Sequence, residues 1–303
     1  MGRTSREPGA GTVVRNLRFE RVIGRGGMGV VYEATHLELD RKVAVKVLSD
    51  AVGDDERMQQ RFRLEAMATA RLSHPNVIEV LEYWHDESGR AYLVMELLQG
   101  QPLETWLHEE RPLATRLGVA RQVLLGLEAA HAGGIVHRDI KPANVFLCDE
   151  AQGGLRATLI DFGVAKLTTG LPLALTRLGK TVGTPGYMSP EQIRGAAVDA
   201  RSDLYAAGCL TYLLLTGLEV FGGGVVDIMR AHLTAAPVPP SQHAPGLAAF
   251  DDWMVTALGK RVEERFQTAA AMRDAFDTCC GRAYGLGDAS CTLVDAPAFD
   301  EDG

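Results

Sequence analysis

Hydrophobic and polar positions change their rhythm part-way along this chain. From Leu17 the runs LRFERVI, VVYEATH and KVAVKVL roughly alternate with period two and are rich in β-branched residues. Gly-rich or charged turns separate them, which predicts an antiparallel meander. Asp54 to Leu72 shifts to a 3.6-residue period, with Phe62, Glu65, Thr69 and Leu72 on one stripe, and reads as a helix. IEVLEYWHD and RAYLVMEL read as two more strands with Ser88-Gly89 at the turn between them. Five strands and one main helix are therefore expected before Gly100.

After Gly100 the period becomes helical. TRLGVARQVLLGLEAAH spaces Leu117, Val123, Leu124 and Leu127 for a helix that Gly133-Gly134 ends. DLYAAGCLTYLLLTG, VDIMRAHLT, FDDWMVTALG and TAAAMRDAFDTCC also read as helices. A small strand-rich part followed by a larger helical part implies an α+β chain of two lobes joined near Leu97–Gly100. The expected lobes are 17–98 and 99–284. Residues 1–16, Gly- and Arg-rich without periodicity, read as a flexible tail, and the small, acidic stretch 285–303 as a disordered one. APVPP, Ala236 to Pro240, reads as a rigid connector.

Composition narrows the class. With 303 residues, 46% hydrophobic and 23% charged, the chain can bury real cores. A net charge of −8 argues against nucleic acid or an anionic membrane surface as partner. The five cysteines, Cys148, Cys209, Cys279, Cys280 and Cys291, form no CxxC spacing and no even framework. Disulfides and zinc are not expected, and a reducing compartment is. The first fifteen residues lack the apolar core of a secretory signal. The longest apolar run, Leu204 to Leu215, is too short for a bilayer, which needs about 20 residues. A cytoplasmic protein without a membrane span is expected.

Three stretches carry candidate chemistry. GRGGMGVVYEA places Gly24, Gly26 and Gly29 in a G-x-G-x-x-G pattern followed by Val31. A dinucleotide fold would open a helix there, whereas VVYEA continues as a strand. A P-loop would have Lys-Ser/Thr next, and it is absent. What remains is a glycine hairpin whose bare backbone can approach phosphates. VAVK puts Lys46 and Ala44 on the strand face opposite Val43 and Val45. A lysine there is costly unless paired, and Glu65 on the following helix is the expected partner. Finally, HRDIKPANVF brings Asp139, Lys141 and Asn144 within six positions on a loop, and Asp161-Phe162-Gly163 follows the apolar run ATLI.

Taken together, residues 17–283 resemble a protein kinase of the Ser/Thr class found in bacteria as Hanks-type enzymes. The resemblance implies a two-lobed fold with nucleotide in the cleft between lobes. It implies ATP and Mg²⁺ (with Mn²⁺ as a substitute) and protein substrates bearing Ser or Thr. Phosphoryl transfer needs a proton acceptor, cations on the phosphate oxygens and fixed positioning. By this resemblance Asp139 accepts the hydroxyl proton, Lys141 and Lys46 meet phosphates, and Glu65 holds Lys46. Asn144 and Asp161 supply oxygen ligands to the metal.

Further roles rest on the resemblance alone. Ile23, Gly24, Gly26, Gly27, Gly29, Val31, Ala44, Lys46, Met95, Glu96, Leu98 and Phe146 are implied to surround the nucleotide. Met95 would be the gatekeeper, the backbone of Glu96 and Leu98 would bond adenine, and Val31, Ala44 and Phe146 would sandwich its ring. His137, Arg138, Phe162 and Gly163 are implied as structural supports, with Phe162 under the Glu65 helix. Asp203, opening the helix DLYAAGC, would accept backbone N–H groups of His137 and Arg138. GTPGYMSPEQ resembles the end of an activation segment, with Ser189-Pro190-Glu191 where the family usually has Ala-Pro-Glu. Glu191 would pair with Arg265, and Thr184 would position the substrate. Thr176 and Thr181 are the expected phosphorylation sites, modified in trans by a second copy, with Arg138 as a phosphate partner. Two alternatives share many of these residues: a pseudokinase scaffold and a small-molecule phosphotransferase of kinase-like fold.

Overall fold

The structure, a computed structural model, describes residues 7–26, 29–48, 63, 66–87, 89–150, 154–162 and 185–284. The chain divides into two compact units, the first comprising residues up to His74 with Ile78–Gln99, the second Pro75–Val77 with the chain from Gly100 onward. Gly27, Glu65, Gly163, Thr176, Thr181 and Thr184 lie outside the described residues, as do residues 1–6 and 285–303.

The first unit is built on a six-stranded antiparallel sheet. Its strands are β1 (Val13–Val14), β2 (Leu17–Gly26), β3 (Gly29–His36), β4 (Arg41–Leu48), β5 (Val80–His85) and β6 (Ala91–Glu96). They run in the order β1-β2-β3-β4-β6-β5. The alternation seen in the sequence becomes two faces. Leu17, Phe19, Tyr32, Ala34, Val43, Val45, Trp84, Tyr92 and Val94 form one buried cluster. Phe19 meets Tyr32 edge-on at 5.1 Å, and Trp84 stacks on Tyr92 at 4.1 Å. Burying such aromatic side chains is the main stabilising contribution of the sheet. Of the expected 54–72 helix, 63 and 66–69 are helical, and a turn follows at 70–71.

The sheet has one strand more than the five expected, because part of the expected flexible tail is ordered. Val13 pairs with Arg18 and Val14 with Leu17, and the Gly11 amide donates to the Phe19 carbonyl at 2.7 Å. Arg15, at φ 53°, makes the tight reversal, and its guanidinium lies 4.3 Å from the Trp84 ring. Two β-branched residues suffice to extend an existing sheet, although they are too few to show a period among glycines and arginines.

The second unit opens with β7 (Gln101–Pro102), α1 (Leu103–Trp106) and the 20-residue α2 (Leu113–Ala132). β8 (Val145–Asp149) and β9 (Leu155–Leu159) join β7 in a small antiparallel sheet. Then come α3 (Pro190–Arg194), α4 (Ala200–Thr216), α5 (Val225–Thr234), α6 (Pro240–His243), α7 (Asp251–Ala257) and α8 (Ala269–Tyr284). The Leu117, Val123, Leu124 and Leu127 stripe of α2 is buried, as is nearly all of α4 from Ser202 to Leu215. A helix apolar on every side belongs in the middle of a unit. No helix among the described residues is long and apolar enough to cross a membrane. The expected connector APVPP stops short of its last residue, since Pro240 is buried and begins α6.

Candidate active site

The loop from His137 to Asn144 follows α2 and leads into β8, and one buried carboxylate holds its start. Asp203 Oδ2 accepts the His137 amide at 2.7 Å, and Oδ1 accepts the Arg138 amide at 2.6 Å. His131, in the last turn of α2, donates Nε2–H to the same Oδ2 at 2.9 Å. Asp203 does not open its helix, because Asp199 is the N-cap of α4 and Asp203 lies in the first turn. That position aims its carboxylate sideways at another segment rather than along its own helix.

The His137 ring ties this loop to the segment ending in Asp161. Its Nε2–H donates to the Ile160 carbonyl at 3.0 Å, while Nδ1 accepts the Asp139 amide at 3.3 Å. Those two bonds require the neutral Nε2–H tautomer. Complete burial pushes the pKa of His137 down and keeps it in that form. The ring also lies 4.6 Å from that of Phe162. From the other side, the Ile160 amide donates to the Asn144 carbonyl at 3.0 Å. Arg138 and Asp161 both have left-handed backbone, at φ 64° and 54°. Non-glycine residues hold such angles at a cost of about 1–3 kcal/mol each, and only where the surroundings over-determine them.

On this frame Asp139, Lys141 and Asn144 come together. Lys141 Nζ is 3.1 Å from Asp139 Oδ2, each side chain being about one-fifth exposed. Asn144 donates Nδ2 to the Asp139 carbonyl at 2.7 Å, so the remaining polar atom of its amide is an oxygen. An amide oxygen and a carboxylate are both hard donors of the kind magnesium takes alongside phosphates and water. Among the described residues no group of three or more His, Cys, Asp or Glu is placed to hold a metal ion. A magnesium bound through one or two protein oxygens and substrate phosphates needs none.

In the first unit the nucleotide candidates share neighbouring strands. Lys46 sits between Val31 of β3 and Leu93 of β6, and Val31 is in turn opposite Gly24 of β2. Ala44 lies opposite Met95, and Val43 opposite Glu96. Val43, Val45 and Val47 are buried in the aromatic cluster, which puts Ala44 and Lys46 on the other face. Ile23 and Gly26 belong to the end of β2, and Leu98 follows β6. Gly29 is required by the sheet itself: at φ 151° a Cβ there would overlap the Val47 carbonyl oxygen of the next strand. Phe146, in β8 of the second unit, is half-buried on the face opposite Val145 and Leu147.

The segment after the undescribed stretch ends in a built anchor. Glu191 and Arg265 form a buried, doubly bonded ion pair at 2.8 and 2.7 Å. Ser189, the departure from the usual alanine, is the N-cap of α3 and completes a capping box with Gln192. Two supporting residues were not singled out from the sequence. Gln192 donates its amide to the Arg138 carbonyl at 3.0 Å, and His131 braces Asp203. The Ser189-x-x-Gln192 spacing announces a capping box, but no local pattern announces His131.

A family model described as "Protein kinase domain" matches residues 17–271. The serine/threonine-protein kinase pkn3 of Myxococcus xanthus is 41% identical over 270 residues, 86% of this chain and 49% of that protein. The serine/threonine-protein kinase PknB of Mycobacterium tuberculosis is 38% identical over 265 residues, 84% of this chain and 42% of that protein. The chain thus spans about half the length, or less, of these relatives. The crystal structure of the Mycobacterium tuberculosis PknI kinase domain superposes with a TM-score of 0.72 at 27% identity. That match covers 90% of this chain and all of the other.

Proposed function

The chain belongs to the protein kinase family, and from that premise we propose that it transfers the γ-phosphoryl group of ATP to serine and threonine hydroxyls of proteins. The observation that carries this reading is the braced loop on which Asp139, Lys141 and Asn144 meet, tied at His137 and Asn144 to the residue before Asp161.

The roles follow from chemistry. Asp139 accepts the proton of the attacking hydroxyl, since its carboxylate is held beside a cation and its backbone is anchored at both ends. Lys141 carries positive charge to the phosphoryl group in flight. Asn144 and Asp161 would hold Mg²⁺, which supplies charge neutralisation on the phosphate oxygens, with Mn²⁺ a substitute of the same donor preference. Lys46 binds phosphate and Glu65 orients it. Gly24, Gly26, Gly27 and Gly29 offer backbone amides to phosphates, and Ile23, Val31, Ala44, Met95, Glu96, Leu98 and Phe146 receive the adenosine. Gly163 gives the chain its turn after Phe162, and Thr184 positions the substrate.

Thr176 and Thr181 are the sites we assign to autophosphorylation by a second copy, with Arg138 as the phosphate's partner. Cys148, Cys209, Cys279 and Cys280 are buried, and we assign the chain to the cytoplasm, where thiols stay reduced.

The test offers labelled ATP and Mg²⁺ with a casein-like protein and, separately, small alcohols. Label on protein serine or threonine is expected. Nucleotide binding without any transfer would make the chain a scaffold, and label on small alcohols alone would make it a small-molecule phosphotransferase.

A further inference from the structure

We infer that Gln192 is a positioning residue for Asp139, coupling helix α3 to the peptide that carries the catalytic carboxylate. The inference rests on the reading of Asp139 as the proton acceptor.

Helix α3 is five residues long and needs little from position 192. A capping box is closed equally well by Glu or Gln, because it uses only a side-chain oxygen. Here Gln192 Oε1 accepts the Ser189 amide at 3.0 Å and the Ser189 hydroxyl at 3.2 Å. The Ser189 Oγ accepts the Gln192 amide in return at 3.4 Å. The other end of the side chain does something the helix does not require. Its Nε2 donates to the Arg138 carbonyl at 3.0 Å, 54 positions away. Two donors on one side and a carbonyl on the other fix which way the amide points.

That carbonyl belongs to a peptide held all round. The Arg138 amide goes to Asp203 Oδ1 at 2.6 Å, and the Asp139 amide goes to His137 Nδ1 at 3.3 Å. Gln192 adds a contact on the C=O between those two N–H groups. Arg138 has left-handed backbone at φ 64°, a conformation that relaxes when one of its constraints is lost. Rotation of this peptide swings the Cα–Cβ bond of Asp139, and a shift of about 1 Å in a reacting group can cost about a hundredfold in rate. Arg138, Asp139, Tyr187, Met188 and Gln192 also line one small cavity, so Gln192 and Asp139 share its wall. The placement of α3 is thereby transmitted to Asp139 through one amide.

The variant Gln192→Glu separates the two roles. It keeps the capping oxygen, removes the donor and sets a carboxylate against the Arg138 carbonyl. The readouts are single-turnover phosphoryl transfer to a serine peptide, KM for ATP, thermal midpoint and amide exchange at His137–Ile140. Expected are a transfer rate about tenfold lower, an unchanged KM for ATP, a near-native midpoint and faster exchange at Asp139. Wild-type transfer and exchange in the variant would overturn the inference, as would a rate loss matched by a fallen midpoint. Amide exchange reads the clamp without turnover, so absence of transfer in the wild type would sink the assignment of Asp139 separately.

Discussion

Arg265 and Glu191, 74 positions apart, form a bidentate ion pair with side chains no more than 7% exposed. Ser202 donates to the same carboxylate at 2.5 Å, and Arg265 Nε donates to the Gly259 carbonyl at 2.7 Å. Burial by itself would raise the Glu191 pKa, but the bonds from Arg265 and Ser202 override it, and the carboxyl stays ionised below its usual range. The pair fastens α3 to the chain before α8.

Arg265→Met leaves a buried charge with half its partners gone. A loss of about 3–5 kcal/mol in urea unfolding is expected. The double variant Glu191→Leu with Arg265→Met recovers a large part of it, because no unpaired charge remains. Equal losses in the single and double variants would show that the charge is not what matters.

His232 gives the fold an acid limit. It is fully buried, shares a 2.9 Å hydrogen bond with Tyr205, and lies edge-on to Phe221 at 4.9 Å. Burial first, and the Lys260 ammonium second, push its pKa from 6.5 to about 4. The unfolded chain then takes up this proton before the folded one does. Stability from His232 is full above pH 6.5 and declines as pH falls toward about 4, by an amount on the order of 3 kcal/mol. His232→Gln flattens that part of the stability–pH curve, as measured by urea unfolding at several pH values.

Asp203 accepts two backbone amides and the His131 ring. Asp203→Asn removes one acceptor and the charge that strengthens the others. Catalytic turnover about tenfold lower or worse is expected, with circular dichroism retained. Full activity in this variant would mean that the loop holds its shape without the carboxylate.

Autophosphorylation is checked by mass spectrometry after incubation with ATP and Mg²⁺. Phosphate on Thr176 and Thr181 is expected, with an incorporation rate that rises with protein concentration if a second copy does the work. Unmodified threonines in an active sample contradict the assignment.

Much of the fold was legible because its two periods are clean. The Val43–Val45 alternation and the Leu117–Leu127 stripe each marked one face from the sequence, and both faces are buried. The strand Val13–Val14 escaped because two residues carry no period. Asp139, Lys141 and Asn144 lie so close in sequence that a loop must gather them. Contacts that depend on the folded chain were less visible. His131 reaches Asp203 across 72 positions and Gln192 reaches Arg138 across 54. Neither side chain differs in type from an ordinary surface residue. Ser189 looked like a small departure and is in fact the cap of its helix.

Asp139→Asn is the most direct test of the central claim, that this carboxylate takes the proton of a protein hydroxyl during phosphoryl transfer. The replacement keeps the side chain's size and the backbone bonds of the loop while removing the base. Single-turnover transfer from ATP to a serine peptide should fall by at least about a hundredfold, with ATP affinity close to wild type. Transfer at the wild-type rate in Asp139→Asn would contradict the account.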